Sequence, residues 1–254
     1  MNGLRKLKFG AFALSLACVF TACSSDDDNT VTTPTANEGS LKITAKASYD
    51  NSANRLVESV DLNSFIVNFK EIELELQDND LDDDMDNNSD ANGFYDSDDD
   101  IELEGPFEID LLAANSVQLV NIEIPNGIYE EIEFEFDKSE NPESDLFGKS
   151  MELKGEINGV PFVFWHDFEE EIEIDYEDMN ESLVIDNNTS EVLINFDLSA
   201  VLGATGMVDL SMATDNDGDG VIVISPQDED GNHALAEVLK EAIKAQIELM
   251  DDLD

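Results

Sequence analysis

The stretch from Thr214 to Pro226 reads TDNDGDGVIVISP and sets carboxylates at alternate positions, Asp215, Asp217 and Asp219, directly ahead of Gly220. Calcium takes six to eight oxygen ligands, and a loop of the form D-x-[DN]-x-[DN]-G offers them from positions 1, 3 and 5, with a backbone carbonyl at position 7 and an acid at position 12. In this chain position 7 is Val221, and position 12 is Pro226, which has no side-chain oxygen. Asp228, Glu229 and Asp230 follow at once, and one of them is expected to close the site in place of the missing acid. The rival reading is an acidic turn with loosely held counter-ions.

A second stretch, DNDLDDDMDNNSDANGFYDSDDD at 78–100, fits the same template less closely. Asn88, Asp90, Asn92, the carbonyl of Phe94, Asp96 and Asp99 fall at the ligand positions, with Gly93 at the turn. Asp80, Asp82, Asp84 and Asp86 add alternating carboxylates upstream, similar to the overlapping loops of thrombospondin type 3 repeats and to EF-hand-like loops. Without a cation such a segment repels itself and stays disordered. Calcium is therefore the expected ion; magnesium demands tighter octahedral geometry and gives up water reluctantly.

Other chemistry is thinly represented. His166 and His233 are the only histidines, and no serine or cysteine in a nucleophile turn accompanies Trp165-His166-Asp167. Glu169, Glu170 and Glu171 offer carboxylate pairs for a glycan hydrolase, but acids are too common here to single out a pair. Zinc spacing, a P-loop and a dinucleotide fingerprint are all missing. The chain reads as non-catalytic.

The elements that must hold these loops are strands. Twelve runs read as strands, GMVDLSM (206–212) among them, and in most of them, as in SFIVNFKEIELEL (64–76), IEFEF (132–136) and EIEIDY (171–176), Glu alternates with Ile, Leu and Phe. One face of each is apolar and the other acidic, the pattern of an antiparallel sheet packed on one side. Phe65, Val67 and Phe69 have the opposite parity to Ile72, Leu74 and Leu76, so a bulge is expected at Lys70-Glu71. A similar slip separates Tyr129 from Ile132, and Asn158-Gly159 signals a tight hairpin. The expected fold is all-β, an antiparallel β-sandwich over 40–254 with the acidic insertion at 78–100 and one amphipathic helix at 233–250, capped by Asn232.

Composition narrows the partners. Asp and Glu number 61 against 12 Lys and Arg, a net charge of −49, which repels nucleic acid and anionic lipid alike. Arg5, Lys6 and Lys8 precede an apolar run from Phe9 to Phe20, too short to span a bilayer, and then Phe20-Thr21-Ala22-Cys23. Residues 1–22 thus read as a bacterial lipoprotein signal peptide, with Cys23 as the lipidated residue carrying diacylglycerol and an N-acyl chain; Cys18 fits the attachment point less well. Neither cysteine is then left for a disulfide. Residues 23–39 read as a lipidated cysteine and a disordered acidic stalk. Its 16 flexible residues reach roughly 20–25 Å. Asp26-Asp27-Asp28 directly behind Cys23 resembles the tether that sends some outer-membrane lipoproteins to the cell surface.

The order GSLKI (39–43), FEIDLL (107–112) and IPNGIYEEI (124–132) resembles the bacterial lipoprotein family catalogued as domain of unknown function 4382. That resemblance spans residues 39–200 and implies a β-sandwich behind a lipoprotein signal, with no activity or catalytic residues. The expected function is a calcium-stabilised binding or adhesion module, anchored to the membrane through its lipid and meeting a glycan or surface protein. A structural lipoprotein facing the periplasm is the alternative, and a carboxylate-dependent glycan hydrolase a further one.

Overall fold

Alternating apolar and acidic residues give most strands one face for a core and one for water, and two sheets result. The computed structural model describes residues 38–50, 59–76, 100–113, 116–176, 183–203 and 205–251. The segment read as a signal peptide, Cys23 and most of the segment read as a stalk lie outside them, as do the insertion's candidate ligands Asn88, Asp90, Asn92, Phe94, Asp96 and Asp99. Strands make up 56% of the described residues, so the chain is all-β.

The smaller sheet runs β12-β10-β1-β4, built from Ile247–Asp251, Thr189–Asp197, Glu38–Ser48 and Val117–Pro125. The larger runs β11-β7-β6-β2-β5-β8: Ile222–Ile224, Val160–His166, Met151–Ile157, Val60–Leu76, Gly127–Phe136 and Glu170–Asp175. β3 (Asp100–Asp110) pairs with β2, and β9 (Leu183–Ile185) with β5. Both sheets feed one hydrophobic cluster. Across it Phe65 of β2 meets Phe196 of β10 edge-on, ring centres 5.5 Å apart. Each fully buried Phe of this kind contributes about 1.5–3 kcal/mol.

β2 is the spine. β6 pairs with its first half and β5 with its second, while β3 takes the opposite edge. The register shifts between Phe69 and Glu71, so the two apolar sets of opposite parity both reach the core. Asn158 (φ 53°) and Gly159 (φ 80°) form the hairpin turn between β6 and β7. Gly155 lets β6 approach β2, since a Cβ there would stand 2.1 Å from the Asp61 carbonyl oxygen.

Several expectations need correction. The sheets are mixed, because β1 runs parallel to β10 and β11 parallel to β7. Side-chain period reports which face is buried but not the direction of the neighbour. Glu38 and Gly39, read as stalk, already belong to β1, opposite Pro125 and Ile124. GMVDLSM is not a strand; Asp209 accepts from the Ser211 N–H and turns Leu210–Met212 into a 3₁₀ helix. The C-terminal helix covers His233–Lys244 rather than 233–250. After Ala245 the chain becomes β12, which gives β10 a partner along Val192–Phe196. Backbone groups on that edge of β10 are thereby satisfied, outweighing continued helix.

Candidate metal centre

The acidic loop hangs from the edge of the larger sheet. β11 leaves the loop at Ile222, pairs parallel with Phe162–Phe164, and buries Ile222 and Ile224 in the core. Two turns then reverse the chain, with Asp228 (φ 59°) and Gly231 (φ 78°) in the left-handed region. That reversal carries Asp230 back beneath the loop it follows.

Asp230 is 1% exposed. Its Oδ1 accepts from the backbone N–H of Asn216 (3.0 Å) and Asp217 (3.2 Å), and its Oδ2 from that of Val223 (2.8 Å). The Val223 N–H leads in holding its carboxyl below the usual range; burial opposes, and the three donors together outweigh it. Asn216 Nδ2 also donates to the Asp230 carbonyl. Asn232, expected to cap the helix, makes no side-chain cap bond. Its Nδ2 donates to the carbonyls of Thr214 (2.8 Å) and Val223 (2.7 Å), and its Oδ1 accepts from Thr214 N–H (3.1 Å), tying the two ends of the loop together. Asp228 receives the helix instead, its Oδ1 accepting from His233 N–H at 2.9 Å.

Within the loop the carboxylates fold inward on backbone donors. Asp215 accepts from Gly218 and Gly220, Asp217 from Asp219, and Asp219 from Val221. Gly218 and Gly220 sit at φ 79° and 93°, which permits that tight winding. One carboxylate oxygen each from Asp215, Asp217 and Asp230 lie within 4.8 Å of one another. Metal–oxygen distances of 2.3–2.6 Å put ligands of one calcium up to about 5 Å apart, so the three fit a shared ion. Each oxygen has two lone pairs, and Asp230 Oδ2 is engaged by only one backbone donor. Asp219 stands outside this trio, and Glu229 is exposed.

A second acidic array was not anticipated as a unit. β3, β2, β5 and β8 lie side by side, and their outward residues fall in register. Three rows cross the sheet: Asp100–Glu75–Glu131–Asp175, Glu102–Glu73–Glu133–Glu173 and Glu104–Glu71–Glu135–Glu171. Like charges directly opposite each other destabilise a sheet. Partial burial, with Asp100, Glu133 and Glu102 close by, pushes Glu73 up to about 7. Partial burial, a hydrogen bond to Glu133 and the charge of Glu173 push Glu131 up to about 8. Lys70 partly relieves the array through Glu135, at 2.7 Å.

Comparison with known proteins adds no relative. No family model, curated protein or solved structure matches the chain.

Of the carboxylates near Trp165, Glu170 docks the helix, Glu169 pairs elsewhere and Glu171 stands in the third acidic row. The His166 ring accepts from Asp167 N–H at Nδ1 (3.0 Å), which leaves Nε2 to face Glu237 of the helix at 3.2 Å. Lys138 pairs with Glu169. Glu170 takes Lys240 and Lys244 together, and these outweigh its burial to hold its carboxyl below the usual range. Both lysines also sit 5.9 Å from the Phe168 ring centre.

Proposed function

We propose that the chain is a lipid-anchored, cell-surface β-sandwich whose 214–232 loop holds calcium, and that it works as a non-catalytic binding or adhesion module for a surface protein or glycan. The metal reading is carried by one observation: the reversal after β11 brings buried Asp230 to Asp215 and Asp217, supplying the acid that the loop lacks at Pro226. The anchoring reading rests on the signal pattern ending at Cys23, and surface exposure on the Asp26–Asp28 tether.

Saturating calcium should stabilise the full chain by about 2.7 kcal/mol at 100 times Kd. For a domain of this size that is roughly 5–10 °C in Tm. A melting series with calcium, magnesium and chelator checks it. If calcium raises the midpoint no more than magnesium or sodium at equal ionic strength, the metal reading fails. Exposure is tested separately by adding protease to intact cells. The chain should be trimmed before lysis, and resistance until lysis would place it inside the envelope.

A further inference from the structure

An open cleft of about 910 Å³ lies between the outer face of β2 and β3 and the segment 137–145, well apart in sequence from the calcium loop. The cleft is preformed. Asn68 Nδ2 donates to the Asp137 carbonyl at 2.8 Å, and Glu108 accepts from Ser139 Oγ at 3.0 Å and from Ser144 Oγ, so the segment is fastened over the sheet.

Asn68 lines the cleft, is 2% exposed, and its Oδ1 has no hydrogen-bond partner. Because Nδ2 is committed to Asp137, the amide cannot be flipped to satisfy itself; the unmet group is an acceptor. A buried acceptor without a donor costs about 1–3 kcal/mol, so an incoming N–H is rewarded at that point. Charge says which kind. Seven carboxylates and two lysines line the cleft, and those lysines, Lys70 and Lys138, reach outward to Glu135 and Glu169, which do not line it. Glu71 and Glu104 belong both to the cleft and to one of the acidic rows, so the cleft opens onto the carboxylate face.

We propose that this cleft is the binding site for a basic polypeptide segment, with an ammonium or guanidinium donating to Asn68 Oδ1 and neutralised by Glu71, Glu104 and Asp145. An open trough continuing into rows of carboxylates fits an extended chain with several cations better than one small ion. This gives the binding-module reading a ligand class and rests on it.

The probe is a tetralysine peptide titrated into the calcium-saturated, isotope-labelled full chain at about 0.15 M salt, where charges beyond about 8 Å are screened. Saturable shifts are expected at the Asn68 side-chain amide and at the Gly105 and Ser139 backbone amides. Glu71→Gln with Glu104→Gln should weaken binding about tenfold, the size of a lost charge-assisted contact. Glu123→Gln with Glu156→Gln, outside the cleft, should leave it unchanged. The proposal is overturned if Asn68 does not respond, if both pairs of substitutions weaken binding equally, or if neutral maltotetraose shifts these amides and the peptide does not. The calcium shift in Tm is recorded on the same samples, so failure of the cleft and failure of the metal loop are read apart.

Discussion

Freed of divalent cations, the full chain should melt at a higher temperature at pH 5 than at pH 8. The cause is the partial burial and the crowding of carboxylates in the acidic rows. Glu73 and Glu131 have folded-state values raised from 4.5 to about 7 and about 8. Below about pH 4.5 both groups are protonated whether the chain is folded or not, and the rows exact no penalty. Between that point and pH 7–8 the unfolded chain has released protons that the folded chain still binds, so folding stability falls as pH rises. The fall is complete once the folded groups ionise. Discounted for solvent screening, the two groups together are worth on the order of 1–2 kcal/mol, a few degrees in Tm. Asp230 works in the opposite sense. Its folded value is lowered from 3.8, so its contribution is present above that pH and is lost as pH falls through the folded value. Apo stability should therefore peak between about pH 4 and 5. Glu73→Gln with Glu131→Gln should flatten the upper limb and raise Tm at pH 8. Calcium needs its ligands ionised, so its stabilisation should be lost as pH falls through the lowered folded value of Asp230. An apo Tm that climbs from pH 5 to pH 8 would contradict this account of the rows.

Asp230→Ala should be the most damaging single change in the loop, even without calcium. It strips the acceptor from three backbone N–H groups at once, those of Asn216, Asp217 and Val223. With the site buried, water does not replace that acceptor freely, and a cost of about 3–5 kcal/mol is expected. Asp217→Ala removes an exposed carboxylate that accepts from one backbone N–H, that of Asp219, and should cost about 1 kcal/mol or less in chelator. Both variants should lose the calcium response. Urea unfolding in chelator separates them; equal costs for the two would mean that Asp230 does not brace the loop.

How much was legible depended on whether the information was local. The parity change at Lys70-Glu71 and the Asn158-Gly159 turn are local, and both are present in the structure. The front of the acidic loop is legible for the same reason, and Asp230, one of the three acids expected to close it, lies beside Asp215 and Asp217. Choosing it over Asp228 and Glu229 required the two left-handed residues after β11, which sequence spacing does not report. Asn232 misled because a polar residue before a helix favours capping, yet a competing set of backbone partners in the loop claimed its amide. Gln246 onward carries a pattern that suits a helix and a strand alike, and the open edge of β10 decided it. Parallel pairing, the carboxylate rows and the cleft are products of strand order. No single strand contains them: Glu73 becomes unusual only once neighbouring strands partly bury it and set Asp100, Glu133 and Glu102 close by.

The most direct test of the central claim is the calcium stoichiometry of the full chain, by isothermal titration, against that of the Asp215→Asn/Asp217→Asn variant at neutral pH. The account predicts that the variant binds one calcium fewer, whatever the 78–100 segment contributes to both. Equal stoichiometry and equal affinity in the two proteins would contradict it and leave the loop as an acidic turn.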